Sequence, residues 1–152
     1  MDVRSILVPT DFSDCARHAV PVAAELARLL GARVLCLHVV ELVVQPIGWT
    51  PVAEPMPAAD LGDRLEETAA RDLPAFSKSE EFAGVEVEDL MAHGEPAAEI
   101  VRVAEERGVG LIVISSHGRT GLGRILFGST AEAVVRHARC PVLVVKPPLR
   151  ES

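Results

Sequence analysis

The chain reads as an α/β protein built on an open five-stranded parallel sheet, order 3-2-1-4-5, with helices on both faces. Three observations predict this. Short apolar runs alternate with stretches of helical periodicity from one end of the 152 residues to the other. The second run, Val34-Leu-Cys-Leu-His-Val-Val40, is apolar on both of its faces, as a strand covered by helices on each side should be. The fourth, Leu111-Ile-Val-Ile114, leads straight into a glycine-bearing loop and a new helix start, the layout of a strand feeding a site at its C-terminal end.

Taken in order, Ile6-Leu-Val8 is the first strand, ended by Pro9. Cys15, Ala16, Ala19, Val20, Ala23, Leu26, Ala27 and Leu30 recur at helical spacing, and Gly31 closes that helix. Pro21 lies inside it and removes one backbone bond, which predicts a kink at that point. Val34–Val40 is the second strand. From Glu41 to Ala59 the pattern dissolves: Pro46, Pro51, Pro55 and Pro57, with Gly48, mark a long mobile proline-rich loop around the only tryptophan, Trp49. Leu61, Leu65, Ala69, Leu73 and Phe76 predict a second helix, disturbed at Pro74.

Val85-Glu-Val-Glu-Asp-Leu90 alternates, which predicts a third strand with one face near solvent and so near a sheet edge. Gly94-Glu-Pro96 starts a helix with proline in its first turn, Ile100, Val101 and Ala104 give its apolar face, and Gly108 ends it. After the fourth strand, Ala131, Val134, Val135 and Ala138 line the last helix, and Pro141-Val-Leu-Val-Val145 is the fifth strand. Right-handed crossovers and a reversal of winding between strands 1 and 4 give the order 3-2-1-4-5. There is no internal repeat and no linker long enough to separate two units, so residues 1–152 are expected to form a single domain.

Composition narrows the function. A formal charge of −7 and an aromatic content of 3% disfavour nucleic-acid binding, which needs a basic stripe with stacking rings. Cys15, Cys36 and Cys140 are odd in number and show no C-x-x-C spacing, the pattern of reduced cytosolic thiols. Nothing at the N-terminus resembles a signal peptide, and no run reaches the ~18 apolar residues of a membrane span. A cytoplasmic location and no membrane partner are expected.

Candidate site residues gather at the strand ends. In an open sheet of this kind, ligands bind beyond the strand C-termini at the reversal of winding, where Pro9-Thr-Asp11 and Ser115-Ser-His-Gly118 both end. Gly128-Ser129-Thr130 opens the last helix, and unpaired amides at a helix start, together with its dipole, can hold a phosphate with no lysine present.

Ile6-Leu-Val-Pro-Thr-Asp-Phe-Ser13, Leu37-His-Val39, His93-Gly-Glu-Pro96, Ser115-Ser-His-Gly-Arg-Thr-Gly121, Gly128-Ser129 and Cys140-Pro-Val-Leu-Val-Val145 occur in this order. Over essentially the whole chain this ordered set resembles the universal stress protein family. The resemblance implies a Rossmann-like, adenine nucleotide alpha-hydrolase-like fold and a nucleotide site of the pattern G-x2-G-x9-G-S/T. Gly118, Gly128 and Ser129 match that pattern; the first glycine is replaced by Ser115. If that position needs a positive φ or the closest approach to a ribose, serine is worse there than glycine. By the same resemblance, Asp11, with Pro9 and Thr10 beside it, and the Val39 backbone flank adenine and ribose. Ser115, Ser116, His117, Gly118, Arg119 and Gly121 run past the sugar and phosphates, and Gly128, Ser129 and Thr130 hold the phosphate tail. The implied cofactor is ATP, with Mg2+ or Mn2+.

Each residue also has a structural role open to it. Gly118 and Gly128 can serve only as turn glycines; Ser129 or Thr130 can be the N-cap, a role compatible with phosphate contact. Arg119 and Arg124 can lie on a solvated loop or reach a phosphate. Asp11 can cap the first helix, or face the base and sugar, or hold a divalent cation. His38 and His117 read as satisfied structural groups at strand ends. His137-x2-Cys140 supplies two metal-competent side chains where zinc needs three or four, so no protein metal site is expected. Catalysis finds little support. G-K-S/T is absent, the lysines Lys78 and Lys146 are far from the loop, and no nucleophile–base pair or paired carboxylates can be read from the spacing. At most, slow ATP hydrolysis is expected.

Val142–Val145 would be an edge strand bounded by Pro141 and Pro147-Pro148, and an apolar edge invites pairing. In the resembled family this edge joins two subunits, which implies a closed homodimer. The expected function is a cytoplasmic, dimeric, ATP-binding stress-response regulatory module. The alternative is a dimeric interaction or chaperone-like stress protein that keeps the fold without the nucleotide, for which Ser115 is the sequence support.

Overall fold

The computed structural model describes residues 2–41, 58–117 and 127–148. Its elements are β1 (Ser5–Pro9), α1 (Asp14–Arg17), α2 (Ala19–Leu30), β2 (Arg33–Val40), α3 (Ala58–Ser77), β3 (Val87–His93), α4 (Pro96–Glu106), β4 (Leu111–Ser115), α5 (Ser129–His137) and β5 (Val142–Val145), with a 3-10 turn at Glu80–Phe82. The five strands form one sheet in the order β3-β2-β1-β4-β5, and every neighbouring pair is parallel. Winding runs outward from β1 through β2 to β3, then returns across β1 to β4 and β5. The reversal therefore falls between β1 and β4, the order the sequence predicts.

Side-chain alternation along the central strands divides the core in two. Ile6, Val8, Val34, Cys36 and Val113 point to the face covered by α2 and the end of α3, where Ala23, Leu73 and Phe76 meet them. Leu7, Leu35, Leu37, Ile112 and Ile114 point to the opposite face and pack on Ile100 and Ala104 of α4 and Val134 of α5. β1 is buried at all five positions, as the middle strand of a sheet covered on both sides must be. At its start the backbone of the neighbouring segment comes close: a Cβ at Gly110 would lie 2.9 Å from Val3 Cα. The N–H of Gly110 donates to Ser5 O (3.1 Å), so that approach is also hydrogen-bonded.

The local signals act as their chemistry requires. Ser13 caps α1, its hydroxyl accepting from the Ala16 amide at 3.1 Å, and Gly31 ends α2 at φ 64, a left-handed conformation open to glycine. Glu95 caps α4 with both carboxylate oxygens, on the amides of Ala97 (3.1 Å) and Ala98 (2.7 Å), and Pro96 takes the first helical position.

Several boundaries differ from the sequence reading. The first helix does not run unbroken with a kink at Pro21; it is interrupted at His18, and Pro21 falls in the first turn of α2. A proline ring clashes with the carbonyl four residues earlier, here Arg17, so the interruption appears one turn upstream of the proline itself. α3 starts at Ala58, a turn before Leu61, and continues past Pro74 to Ser77. Of the proline-rich loop predicted at 41–59, residues 42–57, Trp49 among them, lie outside the described residues, and the last two belong to α3. β3 is Val87–His93 rather than 85–90, because the Val85 amide donates a hydrogen bond to Phe82 O at 2.9 Å and holds that residue in a turn. No helix among the described residues is long and apolar enough to cross a membrane.

Candidate functional site

Beyond the C-terminal ends of β1, β2 and β4 lies a cleft of about 550 Å³. Of the residues singled out in the sequence, Pro9, Thr10, Asp11, Val39, Ser115, Ser116, His117, Gly128, Ser129 and Thr130 all line it. Gly118, Arg119 and Gly121, with Arg124, lie outside the described residues. Three stretches far apart in sequence thus meet at the reversal of winding, where an open sheet leaves room for a ligand.

The Pro9–Ser13 stretch is held by its own polar groups. The Thr10 amide donates to Leu37 O at 2.8 Å, tying the end of β1 to the end of β2. Thr10 Oγ1 then accepts from the Phe12 amide at 2.9 Å, and Asp11 Oδ1 accepts from the Ser13 amide at 2.9 Å. Both are side-chain turns of the kind that short polar residues form with the backbone two positions on. His38 donates from Nδ1 to Thr10 O (2.8 Å), since a carbonyl can only accept. Its ring is stacked on Phe12, centroids 4.4 Å apart, and Phe12 also meets Phe76 edge-on at 6.3 Å.

Phe12 stands at φ 64, alone among the described non-glycine residues in having a positive φ. For an L-residue that conformation costs about 1–2 kcal/mol. Asp11 does not cap α1, because Ser13 does; its Oδ1 instead closes the turn onto the Ser13 amide.

The second side of the cleft is the passage from β4 to α5. Ser115 ends β4 in pairing with Val145 and has no positive φ, so serine in place of glycine meets no conformational penalty there. Its hydroxyl donates to His117 O at 2.9 Å. Ser116, fully buried, has its Oγ 2.9 Å from His117 Nδ1, and the Ser116 amide donates to Val145 O at 2.9 Å.

Gly128 is the N-cap of α5, with φ −68 and ψ 161 and no side-chain cap bond. Ser129 and Thr130 are therefore the first helical residues rather than caps. The Gly128 amide is already engaged, donating to Ser116 O at 2.6 Å, which corrects the expectation that its N–H faces a phosphate. For the Ser129 and Thr130 amides no acceptor is found among the described residues. Both residues line the cleft, and a helix start of this kind carries partial positive charge.

The third side is not legible in the sequence. Leu61, Leu65, Thr68, Ala69 and Asp72 of α3 line the cleft at helical spacing, and Ile100 of α4 joins them. Leu61 and Leu65 remain 39% and 36% exposed, an apolar wall facing the opening. Periodicity marked Leu61, Leu65 and Ala69 as one helix face; nothing in it said that part of this face turns toward a ligand space. Cys36 of β2 is buried in the core under α2 and α3, and burial followed by the charge of Asp89 pushes its thiol up to about 12, so it stays protonated and inert. Among the described residues no three His, Cys, Asp or Glu side chains are grouped to hold a metal ion.

Similarity to known proteins converges on one family. The model of the universal stress protein family matches residues 2–146. Universal stress protein MJ0531 of Methanocaldococcus jannaschii is 38% identical over 148 residues, covering 97% of this chain and 85% of the relative. The solved structure of MJ0577, a universal stress protein of the same organism, superposes with a TM-score of 0.81 at 33% identity, over 98% of this chain and 99% of that one. A universal stress protein from Archaeoglobus fulgidus, solved in complex with dAMP, gives a TM-score of 0.61 at 31% identity over 96% and 100% of the two chains. With this fold and these matches along nearly its whole length, the chain belongs to the universal stress protein family.

Proposed function

We propose that this protein binds an adenine nucleotide, ATP foremost, in the cleft between β1, β2, β4 and α5, and acts as a non-catalytic, nucleotide-dependent regulatory module. One observation carries the reading: Ser129 and Thr130, whose amides find no acceptor among the described residues, line the same cleft as the ends of β1 and β2. The dAMP complex of the A. fulgidus relative supports it by family likeness. In this reading Pro9, Thr10, Asp11 and the Val39 backbone take the base and sugar, Ser115, Ser116 and His117 take the sugar and α-phosphate side, and Ser129 and Thr130 take the phosphate tail. Gly118, Arg119 and Gly121 complete the phosphate side. Gly128 contributes by its small size, since its amide is taken by Ser116 O. Mg2+ or Mn2+ would travel with the phosphates, because such ions take phosphate oxygens and one or two carboxylates, and Asp11 supplies the carboxylate among the predicted residues.

The unit is a cytoplasmic homodimer in this proposal, paired along β5. That strand is one of the two sheet edges, and Leu143 on it is 38% exposed. Light scattering behind size-exclusion chromatography should return twice the 16.2 kDa chain mass; a monomer at micromolar concentration overturns the dimer. For the nucleotide, acid extraction and chromatography of freshly purified protein should release adenine nucleotide close to one per chain. A preparation that is empty and gives no binding heat with millimolar ATP overturns the reading.

A second reading keeps the fold and the dimer without the ligand, as an interaction or chaperone-like protein. The engaged Gly128 amide favours it, since that leaves fewer free amides for a phosphate. Rapid phosphate release from ATP would overturn both and make the protein an enzyme.

A further inference from the structure

We infer that Phe12 is a positioning residue for the base-and-sugar side of the cleft, fixing Thr10 and Asp11 through its stack on His38. The inference rests on the adenine-nucleotide reading of the same cleft. A bulky ring at φ 64 persists only where its surroundings over-determine it. Three constraints do so here. The ring stacks on His38 at 4.4 Å with planes 29° apart, its edge meets Phe76 at 6.3 Å, and the Phe12 amide donates to Thr10 Oγ1 at 2.9 Å.

His38 closes the circuit. The side chain that carries the stack also donates from Nδ1 to Thr10 O at 2.8 Å. Phe76 is fully buried, so the chain of contacts runs from the core through Phe12 and His38 to the Thr10 backbone. Asp11 lies between the two clamped residues, and its Oδ1 accepts from the Ser13 amide at 2.9 Å. Its backbone has little freedom left.

Glycine would take φ 64 without strain and keep every backbone donor and acceptor of the turn. What the ring adds is rigidity, not conformation. A ligand that meets an already ordered segment loses less entropy on binding. That gain applies only to the part of the ligand touching this segment, the base and sugar. The phosphates meet the start of α5 and should not register it.

ATP and inorganic triphosphate, which lacks base and sugar, separate these contributions. Calorimetric titration of both into the wild type, Phe12→Gly, Phe12→Tyr and His38→Asn, with a thermal melt of each, makes the test. His38→Asn keeps an N–H donor for Thr10 O and removes the ring face. Phe12→Gly and His38→Asn should weaken ATP about tenfold and leave triphosphate within about twofold, while Phe12→Tyr keeps ATP affinity within about threefold of wild type. Equal losses for both ligands would mean a general structural defect and overturn the inference. Unchanged ATP affinity in Phe12→Gly overturns it as well, as does a Phe12→Tyr loss matching that of Phe12→Gly. Wild type that ignores ATP overturns the nucleotide reading itself, and this inference with it.

Discussion

The two polypeptide sides of the cleft are built differently. Between Pro9 and Ser13 each polar group used in the turn finds a protein partner: Thr10 on Leu37 and Phe12, Asp11 on Ser13, His38 on Thr10. At the start of α5 the Ser129 and Thr130 amides have no acceptor among the described residues, and only Gly128 is bonded, to Ser116 O. The first side is preset in shape; the second keeps unspent hydrogen-bonding capacity. In a binding site the preset side supplies selectivity for shape, and the open side supplies attraction for an anion.

The largest change should come from below both sides at once. Leu7 is fully buried under the cleft in the middle strand, and Leu7→Ala should cost about 2–5 kcal/mol of stability, read from the midpoint of denaturant unfolding. Both sides should then loosen together. A change under about 0.5 kcal/mol would mean that the middle strand is not the common support.

Gly128→Asp separates the sides. A carboxylate at the proposed phosphate position should weaken ATP by at least about 100-fold, roughly 2.7 kcal/mol, with the melting temperature almost unchanged. Undiminished ATP binding in that variant would place the phosphate elsewhere.

Cys36 tests the core packing of β2, the strand whose end meets the preset side. Its folded pKa is raised from 9.0 to about 12, chiefly by burial, so the neutral thiol is the native form. Below the unfolded value of about 9 this favourable difference is fully present; as pH rises toward the folded value the unfolded state sheds the proton first. Stability should therefore fall by up to about 1.4 kcal/mol per pH unit between roughly pH 9 and 12. Urea midpoints of wild type and Cys36→Ala at pH 8 and 10.5 give the comparison, and an equal alkaline loss in both would remove Cys36 as the cause.

Ser13→Ala should give the smallest effect, about 1 kcal/mol, the loss of one N-cap. It sharpens the contrast if amide exchange quickens at residues 13–16 and stays the same at the start of α5.

The strand order was legible because apolar runs, helix lengths and right-handed crossovers leave few alternatives. So was the meeting of Pro9–Asp11 with Ser115–His117, since both stretches end strands that flank the reversal. Other features depend on contacts between distant residues. Phe12 belongs to a residue type that avoids φ 64, and the stack on His38, 26 positions away, is what holds it there. The Gly128 amide looked available in the sequence because nothing there shows Ser116 O within 2.6 Å. Pro21 signals a disturbance in the sequence but not its place, because its steric effect falls on Arg17, a turn earlier. Val85 and Glu86 alternate like strand residues, yet the turn onto Phe82 delays pairing until Val87.

Amide chemical shifts recorded by NMR during an ATP titration test the contrast most directly. Ser129 and Thr130 N–H resonances should move downfield and saturate at one nucleotide per chain, with the Gly128 amide moving far less. Resonances of Ser129 and Thr130 that stay in place at millimolar ATP would contradict the assignment of the α5 start as the phosphate-binding side.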